Sequence, residues 1–199
     1  MFQVVLLTLM GANNAAREVA AERLIFEKEK LGGVSPAAYL FSKVAFLAIL
    51  AGAQALWMAS FVDLASGGVL PGSFGTRLLL LLFVNFAVTS VCLGISSLMR
   101  SPEQSTLLSI YLVGFQLPLS GAVLALPDGL DSVIHPFIAA YWSWSGSLKT
   151  MEDPYYGAVQ DVTPENYIVT PETCLFVLGM HVIIGLMVAY FGCKRSRWD

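Results

Sequence analysis

Residues Leu78–Met99 read LLLLLFVNFAVTSVCLGISSLM, 22 consecutive residues without a charge. As a helix at 1.5 Å per residue they reach about 33 Å, enough for the roughly 30 Å hydrocarbon core of a bilayer. Three further blocks meet the same test. Gln104–Leu126 is uncharged over 23 residues, Thr173–Cys193 runs for 21 broken only by His181, and Ala37–Val62 carries Lys43 alone in 26. Composition agrees: 56% of residues are apolar and 13% charged, against about 25% charged in soluble domains. Mean hydropathy is +0.70. The expectation is an all-α polytopic membrane protein with transmembrane helices over 36–62, 74–99, 104–126 and 172–193.

Outward from these blocks, the one densely charged segment is AREVAAERLIFEKEKLGGVSPAAYLFSK, Ala16–Lys43. Arg17, Arg23, Lys28 and Lys30 alternate there with Glu18, Glu22, Glu27 and Glu29. The residue types favour a helix over 15–32 that cannot lie in lipid. Gly32-Gly33 stops it, and Ser35-Pro36 offers an N-cap and first-turn proline to the next helix. Before it, residues 1–12 are apolar but too short to span, with no basic residue ahead of them and no A-x-A pattern after. They read as the inner end of a helix that begins upstream, in a chain started late, rather than as a signal peptide.

Placing the charged helix inside puts nine of the eleven Lys and Arg residues on the cytosolic side, leaving Arg77 and Lys149 outside. The C-terminus is then cytosolic, and Lys43 snorkels back to the inner interface. The outer loop spans 127–171, long enough to carry structure of its own. Phe137, Tyr141, Trp142 and Trp144 suggest a dip back to the interface, and Thr170-Pro171-Glu172 starts the last helix. Cys92, Cys174 and Cys193 have neither metal spacing nor a common outer location, so neither a metal site nor a disulfide is expected.

No GxxxxGK[ST] sequence occurs to cradle nucleotide phosphates. Gly94-Ile95-Ser96 continues with Ser, which disfavours an intramembrane serine nucleophile. Polar residues at membrane depth, Gln54, Asn85, Gln116 and His181, face protein or a pathway; hydrogen bonding between helices and a transport role both stay open for them. Pro118 implies a kink or break in 104–126. Beside it, Gln116 and the small residues Ser120-Gly121-Ala122 mark a candidate constriction. Gly185-x-x-x-Ala189 and Ser90-x-x-x-Gly94 allow close helix contact.

The order of these parts resembles the membrane domain of type-two ABC permeases, G-type exporters in particular. Glu22-Arg23-Leu24-Ile25-Phe26-Glu27-Lys28-Glu29, then Gly32-Gly33 and Ser35-Pro36-Ala37-Ala38-Tyr39, is similar to that family's cytosolic connecting helix. Leu117-Pro118-Leu119-Ser120-Gly121 followed by Tyr141-Trp142-Ser143-Trp144 resembles its fifth-helix ending and re-entrant outer helices. The resemblance covers nearly the whole chain and implies one membrane domain over 1–199, with helices two (partial) to six of a six-helix half. It implies coupling to an ATPase through Glu22, Arg23, Phe26, Lys28 and Glu29. A pathway would be lined by Asn85, Gly114, Gln116, Leu117, Ser120, Ala122 and Val123; the last two replace the bulky leucines of the family's gate.

The resemblance further implies a nucleotide-binding domain as partner, holding the ATP and magnesium that this chain does not, together with a second permease half and membrane lipid. Nucleic acid is no partner, and no residue here is catalytic. An outer loop without Asn-x-Ser/Thr or a cysteine pair points to a bacterial inner membrane. The expected function is export of an amphipathic or lipid-like substrate. The alternatives are an ATP-independent transporter or channel, disfavoured by the lack of paired mid-membrane charges, and a non-transporting remnant.

Overall fold

The computed structural model describes residues 1–68, 70, 72–121, 127, 129–151, 157 and 168–195. Among these every regular element is a helix. In chain order they are α1 (Phe2–Ala15), α2 (Arg23–Leu31), α3 (Pro36–Ala65), α4 (Phe74–Leu98), α5 (Pro102–Gln116), α6 (Leu130–Ile134), α7 (Ala139–Lys149) and α8 (Pro171–Lys194). Three of them, α3, α4 and α8, are long and apolar enough to cross a membrane. Ala122, Val123, the acidic residues 128, 152, 153, 161 and 165, and Arg197 lie outside the described residues.

The helix α4 is the axis of the bundle. Of its most apolar window 61% is buried within the protein, against 28% for α3 and 22% for α8, so neighbours rather than lipid enclose it. Lipid is as apolar as leucine, so such helices associate through close packing and polar contacts. Both devices are present. A Cβ on Gly185 of α8 would stand 2.6 Å from the Ser90 carbonyl carbon, and one on Gly192 would stand 2.1 Å from Ser97 Oγ. The two small-residue patterns of the sequence therefore pack against each other. On the opposite side Gly11 lets α1 approach, since a Cβ there would meet the Asn85 carbonyl oxygen at 2.6 Å.

Polar contacts tie α1, α3 and α4 at membrane depth. Gln54 Oε1 accepts from Asn14 Nδ2 and Asn85 Nδ2, both at 2.9 Å. Thr89 Oγ1 donates to the Gly11 carbonyl at 3.3 Å and reaches Asn85 Oδ1 at 3.4 Å. Asn85 is fully buried in this node. Near one end of α4, Asp63 of α3 pairs with Arg77 at 2.8 Å.

Two elements are shorter than the sequence suggests. The charged helix occupies Arg23–Leu31 rather than 15–32, while α1 continues through the expected lipid exit to Ala15. Residues 16–22 form successive turns because other helices take their backbone groups. Val19 and Ala20 N–H donate to Ser96 Oγ at 3.1 and 3.0 Å, and the Ala16 carbonyl accepts the Ser105 hydroxyl. The expected helix over 104–126 ends at Gln116 and passes into a single 3-10 turn, Pro118–Ser120. Pro118 donates no backbone hydrogen bond, and Gly121 at φ 77° turns the chain away. At about 22 Å, α5 falls short of the hydrocarbon thickness.

Between α5 and α8 the chain folds back onto the bundle. Tyr141 and Trp144 are buried rather than forming an interfacial belt, whereas Phe137 stays 73% exposed. Ser143 Oγ donates to the Leu80 carbonyl at 3.2 Å and Ser145 Oγ accepts Val169 N–H at 2.7 Å, fixing α7 against α4 and the start of α8. Helix starts follow the sequence cues. Ser35 Oγ accepts from Ala38 N–H at 3.2 Å and Ser101 Oγ from Gln104 N–H at 3.3 Å. Thr170 instead pairs its hydroxyl with that of Thr173 at 3.1 Å. All three cysteines are buried free thiols.

Candidate functional site

Two features stand apart from the packing scaffold. The first is α2, at the end of the bundle shared by the α3 N-terminus and the α4 and α8 C-termini. Its residues divide by face. Phe26 is buried and stacks on Tyr39 with ring centroids 4.0 Å apart. Arg23 Nη2 donates to the Ser97 carbonyl at the end of α4, and Lys30 Nζ to the Cys193 carbonyl at the end of α8, 3.2 Å away. Both cations thus meet the carbonyl ends of helices, where the macrodipole favours positive charge. Just before α2, Glu22 holds Lys43 Nζ at 2.8 Å, and Glu18 holds the same atom at 3.1 Å. Tyr39 Oη adds a bond to Glu22 at 3.4 Å.

Of the coupling residues expected from sequence, Glu22, Arg23 and Phe26 therefore fasten α2 to α3 and α4, while Lys28 and Glu29 are exposed. The exposed face also carries Leu24, 77% accessible, Ile25, 59%, and Leu31, 76%. An apolar stripe of Ala20, Leu24 and Leu31, with Val19 and Phe26 nearby, is legible in the sequence; the structure splits it, burying Val19, Ala20 and Phe26 and leaving Leu24 and Leu31 outside beside Ile25. An anchored helix whose outer face holds three large apolar side chains among charges is shaped to receive a protein.

The second feature is a groove of about 490 Å³ between α1 and α5. Val5, Leu9 and Ala12 line one wall and Ile110, Val113 and Leu117 the other, with Thr8, Asn13, Thr106 and Ser109 as hydroxyl and amide groups between. Gly114 is part of the α5 wall, and a Cβ there would meet nothing within 4 Å. Gly114 and Leu117 both line this groove. Asn85 belongs to the buried node instead. Gln116 turns to the other side of α5, its Oε1 accepting Ala140 N–H at 3.1 Å and so capping the start of α7. Ser120 is fully buried, its hydroxyl donating to the Leu117 carbonyl at 2.8 Å.

The fold is that of a multi-pass helical membrane domain, with a charged helix fastened across one end and a mostly apolar groove between α1 and α5. Residues 1–144 match the ABC-2 type transporter family, and the chain belongs to that family as an ABC transporter permease domain. It is 29% identical over 198 residues to the ABC transporter ATP-binding/permease protein Rv1747 of Mycobacterium tuberculosis. That match covers 94% of the chain and 22% of the relative's length.

Proposed function

We propose that this chain forms the membrane half of an ATP-driven exporter that moves an amphipathic or lipid-like substrate outward along the α1/α5 groove. The observation that carries the reading is α2. Arg23, Phe26 and Lys30 are spent on the ends of α4, α3 and α8, yet the helix leaves Leu24, Ile25 and Leu31 uncovered beside Lys28 and Glu29. An ABC nucleotide-binding domain docked there would supply ATP, magnesium and the hydrolytic residues, and its closure would push through Arg23 and Lys30 onto α4 and α8. The similarity to a protein named for both ATP binding and permease activity supports that partner. No residue of this chain acts as a catalyst in the proposal.

In the same reading the three long helices are joined by α5, extended through its 3-10 turn, as a fourth crossing, and by α1 as part of a further one. Helices α6 and α7 are re-entrant from the outer face. Nine of eleven basic residues on the α2 side support a cytosolic α2 and C-terminus in a bacterial cell membrane. A groove open along one side calls for a second half, identical or different, to close it.

The test is reconstitution with the cognate ATPase. Ile25→Asp and Leu24→Asp alter only exposed positions, so the domain still folds while ATPase association and substrate-stimulated hydrolysis drop at least tenfold. Undiminished complex formation and export in both variants refute the docking role of α2. Export that continues without any ATPase refutes the ATP-driven reading.

A further inference from the structure

On the far side of α5 from the groove lies a separate cavity of about 470 Å³, between α5 and α8 and floored by Ala87, Val88 and Val91 of α4. Phe137 closes one end, and the remaining lining is apolar apart from Gln116 and His181. Both polar groups have one hydrogen-bonding role already assigned by the protein. Gln116 is 5% exposed and its Oε1 is fixed by the Ala140 N–H, so its amide nitrogen keeps protons to donate and has no acceptor among the described residues. His181 Nδ1 lies 2.9 Å from the Val177 carbonyl, which can only accept. Nδ1 therefore carries a proton, which leaves Nε2 as the ring's acceptor in that tautomer.

We infer that this cavity binds a neutral long-chain lipid bearing a single hydroxyl group, entering sideways from the bilayer between α5 and α8. A hydroxyl is the smallest group with both roles that Gln116 and His181 leave open in this lining, an acceptor for an amide and a donor to an imidazole nitrogen. An ester or ether satisfies only the first. A charged headgroup meets no counter-charge among the lining residues, and burying it unpaired is costly. The volume falls within the range of small-molecule sites. Its lining shares no residue with the α1/α5 groove or with α2, so variants in it leave both of those surfaces unchanged.

The test uses the full-length protein in nanodiscs and a diazirine-tagged hexadecanol. Photolabelling is expected on peptides containing 112–116 and 177–184. Untagged hexadecanol should compete about fivefold better than its methyl ether, the worth of one hydrogen bond. In His181→Leu that preference disappears; the Val177 carbonyl remains inside the helix, so the variant folds. Val91→Phe narrows the floor and lowers labelling of both peptides irrespective of His181. Labelling spread over the exposed residues of α3 and α8 in proportion to their accessibility overturns the site and leaves contact with bulk lipid only. Equal competition by alcohol and ether in the unmodified protein, or a preference that survives His181→Leu, overturns the hydroxyl assignment.

Discussion

Replacing the two amides of the α1–α3–α4 node separately tests whether Asn85 holds helices together or faces a pathway. Asn85→Leu removes the bond to Gln54 Oε1 and the one from Thr89. Neither partner is stranded, because Gln54 still accepts from Asn14 and Thr89 still donates to Gly11. Only the first of these joins two helices, so at about 0.6 kcal/mol per interhelical bond, with a ceiling near 1.7, the expected cost is about 1 kcal/mol. Gln54→Leu removes three bonds, including the one from its own Nε2 to Asn14 Oδ1. It also leaves the Asn85 amide buried without an acceptor, a further penalty of about 1–3 kcal/mol. The total is about 3–5 kcal/mol. Equilibrium unfolding of the purified protein in mixed micelles by sodium dodecyl sulfate, followed by tryptophan fluorescence, reads both values. The reasoning fails if Asn85→Leu costs as much as Gln54→Leu. It also fails if Asn85→Leu leaves stability unchanged while reducing transport, which would place Asn85 on the pathway.

The glycines separate scaffold from groove in the same assay. Gly185→Val drives its side chain into Ser90 and Val91 backbone atoms at 2.6–2.8 Å and should cost at least about 2 kcal/mol by forcing α4 and α8 apart. Gly114→Phe meets open space, so unfolding stays within about 0.5 kcal/mol of the parent while transport assayed in vesicles falls sharply. Stability also depends on acid through His135, which is 8% exposed and stacked on Tyr141 at 3.8 Å. Burial pushes its pKa below the ordinary 6.5, and Asp131 partly offsets this. The unfolded chain therefore takes up the proton first, so the contribution of neutral His135 is complete above pH 6.5 and is lost as pH falls from there through the folded value. His135→Gln should flatten that part of a Tm-versus-pH profile, and an unaltered profile would rule the residue out.

The long helices were legible because their cause is local: twenty or more apolar residues leave the backbone no other way to satisfy itself in lipid. Ser35-Pro36 and Thr170-Pro171 marked helix starts for equally local reasons. The shortened α2 was not legible. Residues 16–22 have helical composition, and what unwinds them is the Ser96 hydroxyl, 76 and 77 positions away in sequence. The inward turn of Arg23 toward Ser97 and the apolar face left outside had the same long-range origin. Gln116 shows the limit most sharply. A polar residue beside a proline at membrane depth pointed to a pathway, yet its oxygen serves the α7 N-terminus, a helix within the long loop that carried no strong periodic signal.

Exposure at the surface of the bundle sorts its faces and bears on where a second half would sit. The outward side chains of α3 and α8 are large and apolar, Phe41, Phe46, Ile49 and Trp57 on one, Phe176, Ile183, Ile184 and Met187 on the other, as a lipid boundary requires. The α1/α5 side differs, since Thr8, Asn13, Thr106 and Ser109 stand among its apolar residues. Thr8 and Thr106 already bond the Val5 and Pro102 carbonyls, both at 2.8 Å, so the exposed Asn13 amide is the group that water or an amphipathic substrate satisfies better than acyl chains. Helix α5 is therefore a partition with the groove on one side and the Gln116–His181 cavity on the other. Its broken outer end at Pro118 gives that partition freedom to lean. Displacement toward either side would narrow one space and widen the other, so occupancy of the lateral cavity and opening of the groove should oppose each other. If hexadecanol bound in that cavity accelerates export instead of slowing it, α5 does not move as a single wall.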